Sequence, residues 1–304
     1  VPFAQGEMKP KMLKDATLVF SQQGSQASII HHTSKIINAS ASPLAYWADG
    51  SVKWASVSAV VPAASDSKIC NLNSDFIEPP TIVATLKDGT TLPYTIDKTI
   101  METSDDVRTC TKISGHIGKF PSILRVYNYK GSKQTKLVHT FIYDGDEDKD
   151  FIQSIGIQLK VPMKDELDNR HVAFLADGKL WSEPVQPLVG RRLLNGATLG
   201  DEDRGEAVQR KQMRGECIPP AASFDDKSQQ LLKDWASWNR FRLSQLNDMS
   251  YTIRKQAKPD CMMVGTFAGK RADGMAFVGD KTNGLIAVMK DFWQSYPSSL
   301  EVTE

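Results

Sequence analysis

Two adjacent guanidiniums, Arg191 and Arg192, follow the proline-punctuated segment W-S-E-P-V-Q-P-L-V-G that runs from Trp181 to Gly190. Placed at a strand end, such a pair can clamp a carboxylate through parallel N–H donors, or it can serve as plain surface charge. His139 and Tyr143 lie four residues apart. On a strand with a period of two they project from one face, and both are suitable proton donors or acceptors. His171, directly after Arg170 at the start of another strand-like run, offers the same chemistry. Each of these histidines can equally be a hydrogen-bonded core residue. Trp293 and Tyr296, with Trp235 and Trp238, supply aromatic area that suits either a sugar platform or a core.

One further cluster invites a metal. Asp144, Asp146, Asp148 and Asp150 alternate as the ligands of a calcium-binding loop do. The pattern then departs from that loop, because its sixth position is Lys149 instead of glycine and its twelfth is Ile155 instead of glutamate. A solvated turn is the better reading, and no cofactor or metal is expected.

The elements that must carry these groups read as strands. The acidic turn joins two apolar runs, and the whole stretch from Val138 to Val161 reads as a β-hairpin with a charged tip. Its first arm, Val138 to Tyr143, is apolar on both faces. Its second, Ile155, Ile157, Leu159 and Val161, alternates with polar residues. Asp49-Gly50 turns another hairpin, with Trp47 and Trp54 on its two arms expected to pack one core. Lys87-Asp88-Gly89-Thr90 closes a hairpin from Thr81, and Ala176-Asp177-Gly178-Lys179 closes one from His171 to Val185.

Thr17–Phe20, Ser28–Ile30, Leu124–Tyr129, Phe241–Gln245, Tyr251–Ile253, Met275–Val278 and Leu285–Phe292 add further strands. Leu194 to Ser223 is polar and without period, so it reads as a long loop. Ser228 to Asn239 has room for a turn or two of helix. The fold class is all-β: a small N-terminal domain over residues 1–78 and a larger antiparallel sandwich over residues 79–304.

Composition narrows the function by exclusion. The chain of 304 residues has 40% hydrophobic and 24% charged residues, with a net charge of +1. Bulk charge therefore provides no hold on nucleic acid or a membrane surface. No apolar run nears the roughly 20 residues that cross a bilayer as a helix. Four dispersed cysteines, Cys70, Cys110, Cys217 and Cys261, form no C-x-x-C pair, which argues against a zinc or redox motif and leaves disulfides and reduced thiols both open. G-x-S-x-G, P-loop and H-E-x-x-H motifs are absent.

Several stretches taken in order resemble one family. They are V-P-F-A-Q-G-E from Val1, W-A-D-G-S-V-K-W from Trp47, H-T-F-I-Y-D-G-D-E-D-K-D-F-I from His139, R-H-V-A-F from Arg170, E-P-V-Q-P-L from Glu183 and D-F-W-Q-S-Y-P from Asp291. Together they are similar to the exo-rhamnogalacturonan lyases, the YetA-like polysaccharide lyases grouped as family 26. The resemblance implies a small N-terminal RIFT-type barrel, a central β-sandwich and a C-terminal α/α toroid. This chain lacks the long paired helices of a toroid and is expected to be a fragment cut at both ends.

The implied chemistry is β-elimination at the rhamnose–galacturonate bond of pectin, on glycan outside the cell or in the periplasm. The implied partners are a rhamnogalacturonan oligosaccharide and the missing toroid, with no nucleic acid and no membrane. Arg191, Arg192, His139, Tyr143, His171 and Trp293 are the expected substrate contacts, and no residue is assigned to catalysis. A non-catalytic carbohydrate-binding module and a scaffold for a neighbouring helical domain are the alternatives. The scaffold predicts an exposed apolar patch on the sandwich.

Overall fold

The computed structural model describes residues 1–14, 39–59, 79–105, 107–188, 208, 210–224, 226–234 and 236–304. The expected strands at Thr17–Phe20 and Ser28–Ile30 lie outside them. The chain divides into two compact units: Val1–Cys70 with Pro79–Leu159, and Asn71–Glu78 with Lys160–Glu304. Every strand pair among the described residues is antiparallel.

In the first unit, β1 (Ala39–Tyr46) and β2 (Val52–Ala59) form the expected hairpin. Gly50 takes φ +78 at its turn, a left-handed conformation that favours glycine. Asp49 steadies the turn by accepting hydrogen bonds from the Ser51 amide and hydroxyl. The two tryptophans do not share a core. Trp54 is 46% exposed, while the small core here is built from Leu13, Val52 and Ala55 with Phe3 and Met8 against it. Trp47 is partly buried, donates its indole N–H to the Phe3 carbonyl at 3.1 Å and lies under Lys53 at 4.5 Å. A register shift in β1 between Pro43 and Tyr46 breaks the alternation that would have aligned them.

Two further sheets complete this unit. One has the order β4-β3-β9, from β3 (Thr81–Leu86), β4 (Thr91–Leu92) and β9 (Ile152–Gln158). The other is the meander β5 (Tyr94–Ser104), β6 (Arg108–Ile117), β7 (Phe120–Tyr129) and β8 (Thr135–Phe141). Ile82 and Ala84 of β3 share one buried cluster with Ile113, Ile117 and Leu124 of the meander.

The hairpin expected from Val138 to Val161 does not form. β8 pairs with β7, whereas β9 pairs with β3 in the other sheet. The connection from Ile142 to Phe151 is longer than the roughly two to five residues that close a hairpin, so the chain is free to change sheets. Ile157 then meets the meander across the core instead of beside β8. The first arm is not buried on both faces either, since Thr140, Ile142 and Tyr143 are exposed.

The second unit is a sandwich. One sheet has the order β11-β10-β15-β16, from β10 (His171–Ala176), β11 (Lys179–Pro184), β15 (Ala272–Gly279) and β16 (Gly284–Val288). The other has the order β14-β13-β12-β17, from β12 (Arg240–Asn247), β13 (Ser250–Gln256), β14 (Val264–Gly269) and β17 (Ser298–Thr303). Val172, Phe174, Ala176 and Ala276 of the first sheet meet Phe241, Leu243, Tyr251 and Ile253 of the second, and Phe292 closes the same core. This alternation is the signal that made Phe241–Ile253 and Met275–Val278 legible as strands.

The outer faces of the two sheets differ. Arg240, Arg242, Arg254, Ser244, Thr252 and Glu301 stand on the outside of the second sheet, the ordinary polar face of a sandwich. The outside of the first sheet carries Leu180, Leu175, Met275 and Val288 in one cross-strand row, with Ser182, the buried Ala173, Phe277 and Ile286 in the next. Leu180 and Val288 are 61% and 68% exposed.

The stretch expected as a loop from Leu194 to Ser223 carries, where it is described, a helical turn and the 3-10 turn Ala221–Ser223, joined by residues without regular structure. Residues 210–213 are helical, and Val208, Ile218 and Phe224 join Leu188 and Leu232 in a second buried cluster. Asp226–Asp234 is an α-helix, close to the expected turns. Polar composition hid the packing, because the buried anchor is Gln212. Its side chain donates to the Asp168 and Gln186 carbonyls and accepts the Leu188 amide. A glutamine satisfied on every side can be buried at little cost.

Candidate functional site

The expected contact residues separate into distinct places. Arg191 and Arg192 lie outside the described residues, as does Trp235. His171 belongs to the core network of the second unit: it is buried, and its Nε2 lies 3.1 Å from the Gln212 carbonyl. Burial pushes its pKa down against the opposing pull of the Gln212 carbonyl. A ring so enclosed has no open face for a glycan.

His139 and Tyr143 do share a face, as period two requires. Their rings extend a row in which Phe141 lies 6.4 Å from His139 and 6.5 Å from Tyr143, with Phe120 stacked on Tyr143 at 5.3 Å. His139 Nε2 is 3.0 Å from the Ser122 hydroxyl, and burial lowers its pKa, so the ring is neutral near pH 7. Tyr143 is 44% exposed at the open end of the row.

The acidic turn beside this row uses its own charge. The Asp150 carboxylate accepts the Asp146 amide at 2.8 Å and pairs with Lys119 at 2.5 Å. Asp146 accepts the Asp148 amide at 3.0 Å and pairs with Lys149 at 3.1 Å. Gly145 is required by close approach, since a Cβ there would fall 2.8 Å from the Phe120 ring and 2.9 Å from Asp150. Among the described residues, no group of three or more His, Cys, Asp or Glu side chains is placed to hold a metal ion.

Trp293 leads to a different arrangement, at one end of the sandwich where four turns converge. The β10–β11 turn presents Asp177 and Gly178, both with positive φ, and the β12–β13 turn presents Asp248 and Met249. Lys270 and Arg271 form the β14–β15 turn. The segment between β16 and β17 carries D-F-W-Q-S-Y-P. Phe292 of that segment is 1% exposed and anchors it in the core. Gly274, at φ +75, makes room for it: a Cβ there would sit 2.2 Å from the Phe292 Cβ. Ser298 pins the other side by donating its hydroxyl to the Phe292 and Ser295 carbonyls.

With Phe292 inward, the neighbouring indole of Trp293 turns to the surface and lies under the guanidinium of Arg271, 4.1 Å from carbon to ring centroid. Arg271 is exposed, and its Nε donates to the Asp248 carbonyl at 3.2 Å. Sequence reading missed this arginine, because nothing in its local pattern marks it. Two carboxylates lie close by, each committed to the turns. Asp177 accepts the Tyr251 hydroxyl at 3.1 Å and the Arg271 amide at 3.4 Å, while Asp273 accepts the Gly178 amide at 2.9 Å. Burial and then the Asp177 hydrogen bond push the Tyr251 phenol up to about 12, so it remains a donor. Gly269 leaves space for this pair, for a Cβ there would lie 2.3 Å from Asp177.

The arrangement offers a planar cation, an indole edge, exposed carboxylate oxygens and a fixed backbone. That set can bind an anionic sugar: guanidinium for a carboxylate, carboxylates for hydroxyls, and indole for an apolar ring face.

Two family models match this chain. A model of the PcRGLX-like N-terminal RIFT barrel domain matches residues 1–74, and a model of the PcRGLX-like protein central β-sandwich domain matches residues 83–304. A curated relative, the uncharacterized protein YetA of Bacillus subtilis (strain 168), is 24% identical over 373 aligned positions. That alignment covers 100% of this chain and 40% of the relative, so the chain spans two fifths of the relative's length.

Proposed function

This chain belongs to the family of PcRGLX-like proteins, and from that premise we propose that it is the N-terminal and central β part of an exo-acting rhamnogalacturonan lyase. Such an enzyme would cleave the rhamnose–galacturonate bond by β-elimination and work on glycan outside the cell or in the periplasm. The observation that carries the reading beyond family membership is the sandwich end, where an ordered guanidinium, an indole and exposed carboxylates gather from four turns.

The chemistry states what the site must supply. A base takes the C5 proton of the uronate, the electron pair forms the C4–C5 double bond, and the C4 oxygen leaves with a proton from an acid. A cation against the uronate carboxylate stabilises the charge that develops on it. No base or acid is assigned within this chain.

The test is to digest rhamnogalacturonan oligosaccharides with the protein, in this form and with any further chain its gene encodes. Ultraviolet absorbance of an unsaturated uronide released from one chain end is the expected result. Saturated products, or none from either form, would remove the lyase reading.

A second reading rests on the outer face of the β11-β10-β15-β16 sheet. Its apolar row of Leu180, Leu175, Met275 and Val288 is what a sheet covered by another layer carries. The matched domains are described as N-terminal and central, and the relative extends far beyond the matched part. The proposed occupant is therefore a helical domain of a longer chain of this family. Substituting Leu180→Lys and Val288→Lys should weaken association of that domain supplied separately and leave glycan binding unchanged. Unaltered association would remove this reading.

A further inference from the structure

We propose that Arg271 is a uronate-carboxylate binding residue, held in its binding orientation by Trp293. The inference rests on the acidic-glycan reading above and names the residue that recognises the acid. It starts from how four other arginines of the second unit use their charge. Arg170 pairs with Glu304, Arg214 with Glu216, and Arg240 and Arg242 both with Glu301. Arg271 instead holds an indole ring and a backbone carbonyl, and among the described residues no carboxylate pairs with its guanidinium.

Its order is what separates it from a loose surface cation. The ring beneath it fixes the guanidinium plane, the Asp248 carbonyl takes the Nε–H, and the Met249 sulfur touches the Nη2 side at 3.8 Å. The remaining N–H groups of the fork are left for a planar anion, which a carboxylate matches in geometry. Trp293 owes its position to the Phe292 anchor and to the room at Gly274. The site is thus assembled before a ligand arrives, so binding loses little side-chain freedom. The nearby acids do not cancel it, because Asp177 is turned to Tyr251 and the Arg271 amide, and Asp273 to the Gly178 amide. Sugar hydroxyls can meet their outer oxygens while the acid meets the fork.

The experiment is calorimetric titration of the 304-residue protein with a rhamnogalacturonan oligosaccharide and with the same oligosaccharide after reduction of its carboxyl groups. The wild type is expected to prefer the acidic ligand. Arg271→Ala should abolish that preference, a loss of roughly tenfold to a hundredfold for the acidic ligand alone, with the melting temperature unchanged. Arg271→Lys keeps the charge without the planar fork and should recover only part of it. Trp293→Leu should lower acidic affinity by releasing the guanidinium. An intact preference in Arg271→Ala would overturn the assignment and leave the glycan reading standing. A wild type that binds neither oligosaccharide would overturn both together.

Discussion

The acidic turn from Asp144 to Asp150 and the turn cluster around Arg271 are both dense in charge, yet they use it in opposite ways. In the first, Asp146 and Asp150 pair with Lys149 and Lys119 and accept backbone amides of the turn, so their charge holds a turn in shape. In the second, hydrogen bonds to amides and a phenol occupy the acids, while an aromatic ring carries the cation and its remaining N–H donors stay open. The sequence advertises the first more loudly. Charge density in a sequence therefore marks solvated structure; a binding site needs charge that is fixed in place and not already paired.

The comparison can be broken most severely at Phe292. Replacing it with Ala removes the anchor of the D-F-W-Q-S-Y-P segment and should destabilise the protein by about 3–5 kcal/mol. Chemical denaturation measures that loss, and titration should show acidic-glycan affinity falling with it. A stable variant that still binds would detach the site from its anchor.

Asp280 tests the charge-spending principle inside the fold. Its carboxylate accepts the amides of Lys164, Asp165, Thr282 and Asn283 together with the Thr282 hydroxyl. Burial opposes ionisation there, but these bonds outweigh it and hold the group well below the usual carboxylate range. A carboxyl lowered on folding adds stability that is full above the unfolded value, near 4, and is lost progressively as pH falls from there through the lower folded value. Asp280→Asn should cost about 1.5–3 kcal/mol at pH 7 and progressively less in acid, as read from melts across pH.

A smaller effect belongs to Tyr251. Its phenol is neutral in the fold up to about 12, above the ordinary 10.0. The unfolded chain ionises first, so stability should decline as pH rises from 10 toward 12. Tyr251→Phe should cost about 1 kcal/mol near neutrality and lose that alkaline decline.

The smallest effects are expected at the acidic turn. Lys119→Ala breaks an exposed pair and should leave the melting temperature within error. Added calcium should not raise it either. A clear calcium-dependent rise would reverse the comparison and make the acidic turn a site.

Much of the fold was legible because it is written in short-range code. Asp49-Gly50, Asp88-Gly89 and Asp177-Gly178 were read as turns, and each glycine takes the positive φ that such turns require. Alternation gave β12, β13 and β15, since one face of each is buried. The site was less legible. Trp293 was found by type, and the shared face of His139 and Tyr143 by period. For His171 both a substrate contact and a core residue stood open, because a strand-start histidine reads the same whether or not Gln212 closes over it, and the structure buries it.

The sequence by itself determined that this is an all-β chain, where most of its strands turn, and which family it resembles, all of which depend on local residue order. Tertiary structure alone decided that β8 and β9 part into separate sheets, that Trp54 stays outside the core and that Gln212 buries a polar segment. It also brought Arg271 over Trp293, from separate turns with no periodic relation. The reason is physical: alternation says which face of a strand is buried, but it does not name the partner, and a ligand site is made of partners.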